Sequence, residues 1–141
     1  MNYTILVIAF RYIRFILVFF SILTLFRGHN LPGGGFIGGL MASGAFIFQA
    51  LALGVQSSKN SLRIKPSKLI ASGLFLAILS TLPGFFVKGA FFAGTWVKIP
   101  LLFGATLKLG TPLLFDTGVY LSVTGVVLLL IFTLMEEWKW N

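Results

Sequence analysis

Residues 33–55 read GGGFIGGLMASGAFIFQALALGV, and the fold follows from this stretch. It carries no charge over the ~20 residues that a helix needs to cross about 30 Å of hydrocarbon. A backbone in lipid must satisfy its own hydrogen bonds, which makes the segment helical. Outward from it lie three more apolar runs, residues 5–26, 69–87 and 112–135. The residue-by-residue alternation of a transmembrane barrel is absent. The expected fold is all-α: a polytopic integral membrane protein with four transmembrane helices, forming one membrane domain over residues 1–141.

Composition agrees. Hydrophobic residues make up 57% of the chain and charged residues 10%, with mean hydropathy +1.00. A soluble domain carries about 25% charged residues, so a water-soluble enzyme is excluded for want of charge to cover its surface. Disorder is excluded by the same apolar runs. Without cysteine there is no disulfide framework, iron–sulfur cluster or thiol nucleophile. The first run outlasts a signal-peptide core, and no A-x-A-like cleavage site follows it, so it reads as a retained span.

Eleven Lys and Arg against three acids give a net charge of +8. The basic residues lie between or at the ends of apolar runs, which points to topology and lipid headgroups rather than nucleic acid. Loop 56–68 holds Lys59, Arg63, Lys65 and Lys68 and no acid. It reads as cytoplasmic, which puts both termini in the cytoplasm. Loop 88–111 is apolar apart from Lys88, Lys98 and Lys108, and Gly and Pro100 interrupt it. It is expected to lie in the interface, with Trp96 at headgroup level. Glu136 and Glu137 lie past the last run, in a wet tail with no assigned chemistry.

Asp116 is the one acid inside an apolar run. An intramembrane carboxylate is expensive, which makes it a functional candidate. Tyr120, at i+4, is placed to donate to it along one helix face, with Thr117 and Thr124 beside them. Two roles stay open: ion or proton handling, and a cap-like or Lys98- or Lys108-paired carboxylate. Arg11 and Arg14 lie one turn apart in the first run. Each either snorkels to the surface or pairs with an acid on another chain. His29 is too solitary for a metal site; a loop hydrogen bond or titration near neutral pH are its readings.

The second run is built for close approach. Gly34-x-x-x-Gly38 and Gly35-x-x-x-Gly39 overlap, and Ala42 and Ser43 extend both ridges. Small faces of this kind let helix backbones touch in lipid. Gly118 and Ser122 offer a second small pair. Glycines also weaken the helix start by about 1 kcal/mol each, which leaves a flexible, gating entry as the other reading. Gln49 needs a polar partner. No nucleotide, zinc-protease or serine-hydrolase motif is present.

The stretch RGHNLPGGGFIGGLMASGAFIFQALALG, Arg27 to Gly54, resembles the signature of the B-subunit family of Mrp-type (Mnh-type) multisubunit Na⁺/H⁺ antiporters. TPLLFDTGVYLSVTGVVLLL, Thr111 to Leu130, looks like that family's second hallmark. The resemblance covers the whole chain. It implies a non-enzymatic transporter subunit in a bacterial plasma membrane, assembled with membrane subunits of the A, C, D, E, F and G types. Two large subunits would carry the proton relay, and proton-motive force would drive Na⁺ out. No cofactor is implied beyond the transported Na⁺ and H⁺. The matching positions are His29, Asn30, Pro32, Gly33, Gly34, Gly35 and Phe36, then Asp116, Thr117, Gly118 and Tyr120.

Beside the resemblance, one acid cannot supply a proton relay across about 30 Å, which favours a subunit over a complete transporter. Two alternatives stand against it. A self-sufficient homodimeric exporter would carry a carboxylate in its first span, where this chain has Arg11 and Arg14. The other is a structural or pore-forming membrane protein without coupled transport; a pore-former would show a polar stripe along a span, where this chain has only Gln49 and a few Ser and Thr.

Overall fold

The computed structural model describes residues 3–28, 34–88, 96–100 and 106–138. Helix α1 spans Tyr3–Arg27, α2 Gly34–Leu53, the short α3 Val55–Leu62, and α4 Pro66–Lys88. Strands β1 (Trp96–Pro100) and β2 (Thr106–Gly110) precede α5, Thr111–Glu137. Helices α1, α2, α4 and α5 each contain a stretch long and apolar enough to cross a membrane. The chain is a multi-pass membrane protein whose fold rests on these four helices.

Two stretches read as loops contain regular structure. The basic loop begins as α3, because Gly54 turns the chain at φ 88°, a conformation open to glycine. The Ser58 hydroxyl then donates back to the Phe46 carbonyl at 2.7 Å. Within 88–111, β1 and β2 pair antiparallel, with Lys98 opposite Lys108 in the register. This hairpin runs directly into α5, whose Pro112 occupies the first turn, where a missing N–H costs nothing.

The membrane helices stand in a row, α1–α2–α5–α4, and not in chain order. Helix α5 inserts between α2 and α4. It runs parallel to α2: Gly35 lies against Asp116, and Gly39, one turn on, against Tyr120. Helices α4 and α5 are antiparallel, with Gly73 facing Gly118 and Ser122, and Gly125 facing Pro66 and Ile70. Pro83 lies inside α4 and removes one helical donor. The Ser80 and Thr81 hydroxyls bond the carbonyls of Ala77 and Ile78 just before it.

Apolar packing concentrates at the α3 end. Ala50, Val55, Leu128 and Phe132 form a buried cluster, and Phe46, Ile47, Leu62 and Met135 pack against it. Lys59 and Glu136 join α3 to the end of α5 at 2.6 Å. Both side chains are partly exposed, so the pair adds no more than about 1 kcal/mol. The tail acid given no role in the sequence thus has one, as a tie between α3 and α5. Arg14 reaches across to α2, its guanidinium 5.1 Å from the centre of the Phe46 ring. That cation–π contact is a third option beside surface snorkelling and an interchain acid.

The helix order is open to a cross-linking test, since the natural chain has no cysteine. Thr24 of α1 touches Met41 of α2, with Oγ1 3.7 Å from Sδ. Thr24→Cys with Met41→Cys is expected to be joined in membranes by a short bifunctional maleimide, which fills the gap that the Met41 side chain spans. Thr24→Cys with Ser72→Cys, on helices at opposite ends of the row, is expected to stay unlinked within one chain.

Candidate functional site

The site forms where α1 ends, α2 starts and α5 is in its second turn. Gly34 opens α2 with φ 57°, in the left-handed region that side chains disfavour. A Cβ built there would also lie 3.1 and 3.3 Å from the two carboxylate oxygens of Asp116. Glycine is therefore demanded twice at this position. A Cβ on Gly35 would collide with the Asp116 backbone carbonyl, and one on Gly28 would meet the Gly34 backbone, with Asp116 Oδ2 3.1 Å away. Three glycines thus let the Asp116 carboxylate settle over the first residue of α2.

That position is physically favourable. The first N–H groups of a helix have no intrahelical acceptor, and the helix dipole leaves partial positive charge there. A carboxylate so placed contributes about 0.3–1 kcal/mol at exposed sites and more where partly buried. The sequence pointed to a cap-like Asp116 on its own helix. In the structure the neighbouring helix α2 presents its start instead.

One turn further, α1, α2 and α5 meet through hydroxyls. Ser21, fully buried, donates to the Gly38 carbonyl at 2.8 Å, and its oxygen lies 2.8 Å from the Tyr120 hydroxyl. Tyr120 was expected to serve Asp116 along the α5 face; its hydroxyl instead meets Ser21 of α1. Gly38 makes this possible, because a Cβ there would press on the Ser21 carbonyl and the Tyr120 ring. Thr124 continues the line, donating to Tyr120 O at 2.7 Å and lying 3.2 Å from Gly39 O. Asp116, Tyr120 and Thr124 thus share one helix face at four-residue spacing.

The remaining sequence candidates are distributed around this line. Thr117 turns its hydroxyl to Leu113 O of its own helix, 2.8 Å away. Gly118 and Ser122 lie on the opposite face of α5, in the α4 seam, where a Cβ on Gly118 would meet the Ala77 backbone. Ser43 is buried and bonds Leu40 O at 2.9 Å. Phe36 is exposed, as is Arg11. Lys98 and Lys108 are register partners in the strand pair that leads into α5. His29, Asn30, Pro32 and Gly33 lie outside the described residues. Gln49 is buried and donates to Ser57 O at 3.4 Å, while its Oε1 has no partner among the described residues.

Sequence reasoning missed Ser21, Gly28, Gly73 and Gly125. Gly73 and Ala77, and Gly118, Ser122 and Gly125, follow small-residue spacing and were open to detection. Ser21 offered a weaker signal, a lone serine in an apolar helix. Its importance comes from Tyr120, distant in sequence.

Such a molecule belongs to the class of small helical membrane proteins held together by glycine seams around one intramembrane carboxylate. The family described as "Domain related to MnhB subunit of Na+/H+ antiporter" matches residues 5–129, and the chain belongs to it. It is 40% identical over 129 residues to the B subunit of the Na⁺/H⁺ antiporter of Alkalihalophilus pseudofirmus, covering 90% of this chain and 88% of that one. It is 36% identical over 138 residues to the protein of the same name from Bacillus subtilis, covering 96% and 95%. Its fold matches a chain in the structure of the Mrp complex from a Dietzia species, with TM-score 0.80 and 30% identity. That match covers 95% of this chain and 14% of the solved one.

The seams predict unequal responses to one added methyl. Gly35→Ala is expected to lower the thermal midpoint of the purified protein, because its Cβ meets backbone that cannot move aside. Gly44→Ala, with nothing within 4 Å of its Cβ, is expected to be neutral or stabilising by up to about 1 kcal/mol. Tyr120→Phe is expected to cost about 0.6 kcal/mol, a typical interhelical hydrogen bond in a membrane. Ser21→Ala together with Tyr120→Phe should cost less than the sum of the two single changes.

Proposed function

We propose that this chain is the B-type subunit of a multisubunit Na⁺/H⁺ antiporter in a bacterial plasma membrane. Membrane subunits of other types would be its partners. Membership in the MnhB family and the names of its relatives support this reading. The observation that carries it is the single row of helices, which leaves α1 at its edge almost bare. Only 6% of the α1 span is buried, against 39% of the α2 span. Broad apolar faces are left for lipid and for other subunits.

The polar groups inside the spans point the same way. Ser21, Tyr120 and Thr124 are engaged with one another and with backbone. A relay across about 30 Å needs a chain of ionisable groups, and this chain offers Asp116. Proton and cation transfer then belongs mainly to partner subunits. Asp116 edges the path from the end where α2 and α5 begin. Tyr120 and Thr117 stand beside it, and His29, Lys98 and Lys108 occupy neighbouring segments. The Gly35, Gly39 and Gly118 seams keep that end in shape for assembly. Arg11, exposed on α1, is available to an acid on a partner.

The α3 end, with Lys59, Arg63, Lys65 and Lys68, faces the cytoplasm under the positive-inside rule. Both termini share that side, and Asp116 lies toward the opposite one. The self-sufficient exporter is disfavoured, because the first span holds no carboxylate and its Arg14 rests on Phe46.

Everted vesicles containing the whole complex test the assignment. Asp116→Asn is expected to assemble normally on a native gel and to abolish Na⁺-dependent proton release. Gly35→Leu is expected to prevent assembly. Normal assembly and exchange in both variants would remove Asp116 and the seam from the mechanism. Cation transport by the isolated chain in liposomes would overturn the subunit reading.

A further inference from the structure

Beside α3 lies a cleft of about 710 Å³, lined by Lys59, Asn60, Arg63, Ile64, Lys65, Pro66, Ser67 and Leu129. Its size falls within the range of small-ligand sites, about 300–1,000 Å³. We propose that it holds the phosphate headgroup of an anionic phospholipid, with one acyl chain passing along α5.

Charge argues for the headgroup. Three of the lining residues are cationic and none is acidic. Lys59 is tied to Glu136 at 2.6 Å, whereas Arg63 and Lys65 have no acidic partner among the described residues. Arg63 holds φ 60° as the residue that ends α3, a left-handed position where glycine or asparagine is the usual choice. Its N–H bonds Lys59 O at 3.3 Å, closing the turn that shapes one wall. The other wall is the start of α4. Pro66 has no N–H to give, and Lys68 and Leu69 both donate to Lys65 O, which fixes the first turn beside the opening. Two cations without acids and a helix start therefore converge on one cleft.

The apolar lining argues for a lipid over a free phosphate. Gly125 of α5 packs against Pro66, so Leu129, one turn on, lies beside the start of α4 and level with Lys65. Ile64 and Leu129 are both exposed apolar side chains. The cleft thus sets exposed apolar side chains beside its cations and is amphiphilic, like a phospholipid. Arg and Lys near a membrane surface also attract anionic lipid in general, so the test must separate a seat from diffuse attraction.

The proposal concerns this chain in a bilayer and does not depend on what the assembly transports. The full-length protein, purified with its co-purifying subunits, is delipidated and titrated with phosphatidylglycerol, and retained lipid is counted by native mass spectrometry. Arg63→Ala with Lys65→Ala is expected to weaken retention about 30-fold, while Arg63→Lys keeps it. Arg27→Ala, which removes a charge at the opposite end, is expected to leave it unchanged. Phosphatidylcholine and inorganic phosphate are expected to compete weakly. A native-gel band of normal mobility for the double variant shows that the fold is intact. Unchanged retention in the double variant overturns the site. An equal loss in Arg27→Ala reduces it to diffuse charge. Competition by inorganic phosphate as strong as that by the lipid overturns the lipid assignment.

Discussion

The structure depends on how closely α2 and α5 approach each other. They run parallel, though nearly sixty residues of chain separate them. Side-chain-free backbone at Gly35 and Gly39 faces Asp116 and Tyr120 one turn apart. In lipid, helices gain little from excluding apolar surface from one another, so fit and interhelical hydrogen bonds must hold them. Removing Cβ atoms on one helix lets the polar groups of the other reach backbone. The seam and the polar site are one feature: the glycines that admit α5 also create the space that Asp116 occupies.

The two faces of α5 divide the labour. Asp116, Tyr120 and Thr124 project toward α2 and bring the larger polar groups. Gly118, Ser122 and Gly125 receive α4. A helix with two small-residue or polar faces can sit in the middle of a row, and α5 does. Helix α1 has neither: Arg14, Ser21 and Thr24 reach α2, while Phe15, Phe19, Phe20 and Phe26 remain exposed. Exposed phenylalanines are ordinary neighbours for lipid tails, and they leave a helix face free for other subunits.

The two ends of the molecule differ in chemistry. One gathers Lys59, Arg63, Lys65 and Lys68 around α3, with Glu136 as the tether to α5. The other places Asp116 at the start of α2, near the point where the β1–β2 pair runs into α5. Basic residues near the bilayer surface are cheap and set orientation, whereas a carboxylate within the span must be accommodated by its neighbours. Family membership and architecture agree on a membrane subunit of a larger assembly.

The amino-acid sequence alone determined the membrane class, the four spans, the basic loop and the residues worth watching. Length, apolarity and backbone hydrogen bonding leave a bilayer-spanning segment no other structure, so these follow locally. The order α1–α2–α5–α4 did not follow, because four spans admit several arrangements and each glycine face fits more than one partner. Tyr120 illustrates the limit. Spacing aimed it at Asp116, four residues away, but three-helix packing put Ser21 of α1 at hydrogen-bonding distance. Asp116 likewise came to lie over the start of α2, a neighbour that helical periodicity cannot name. Local chemistry fixes which segments span the bilayer, and only tertiary packing decides which of them meet.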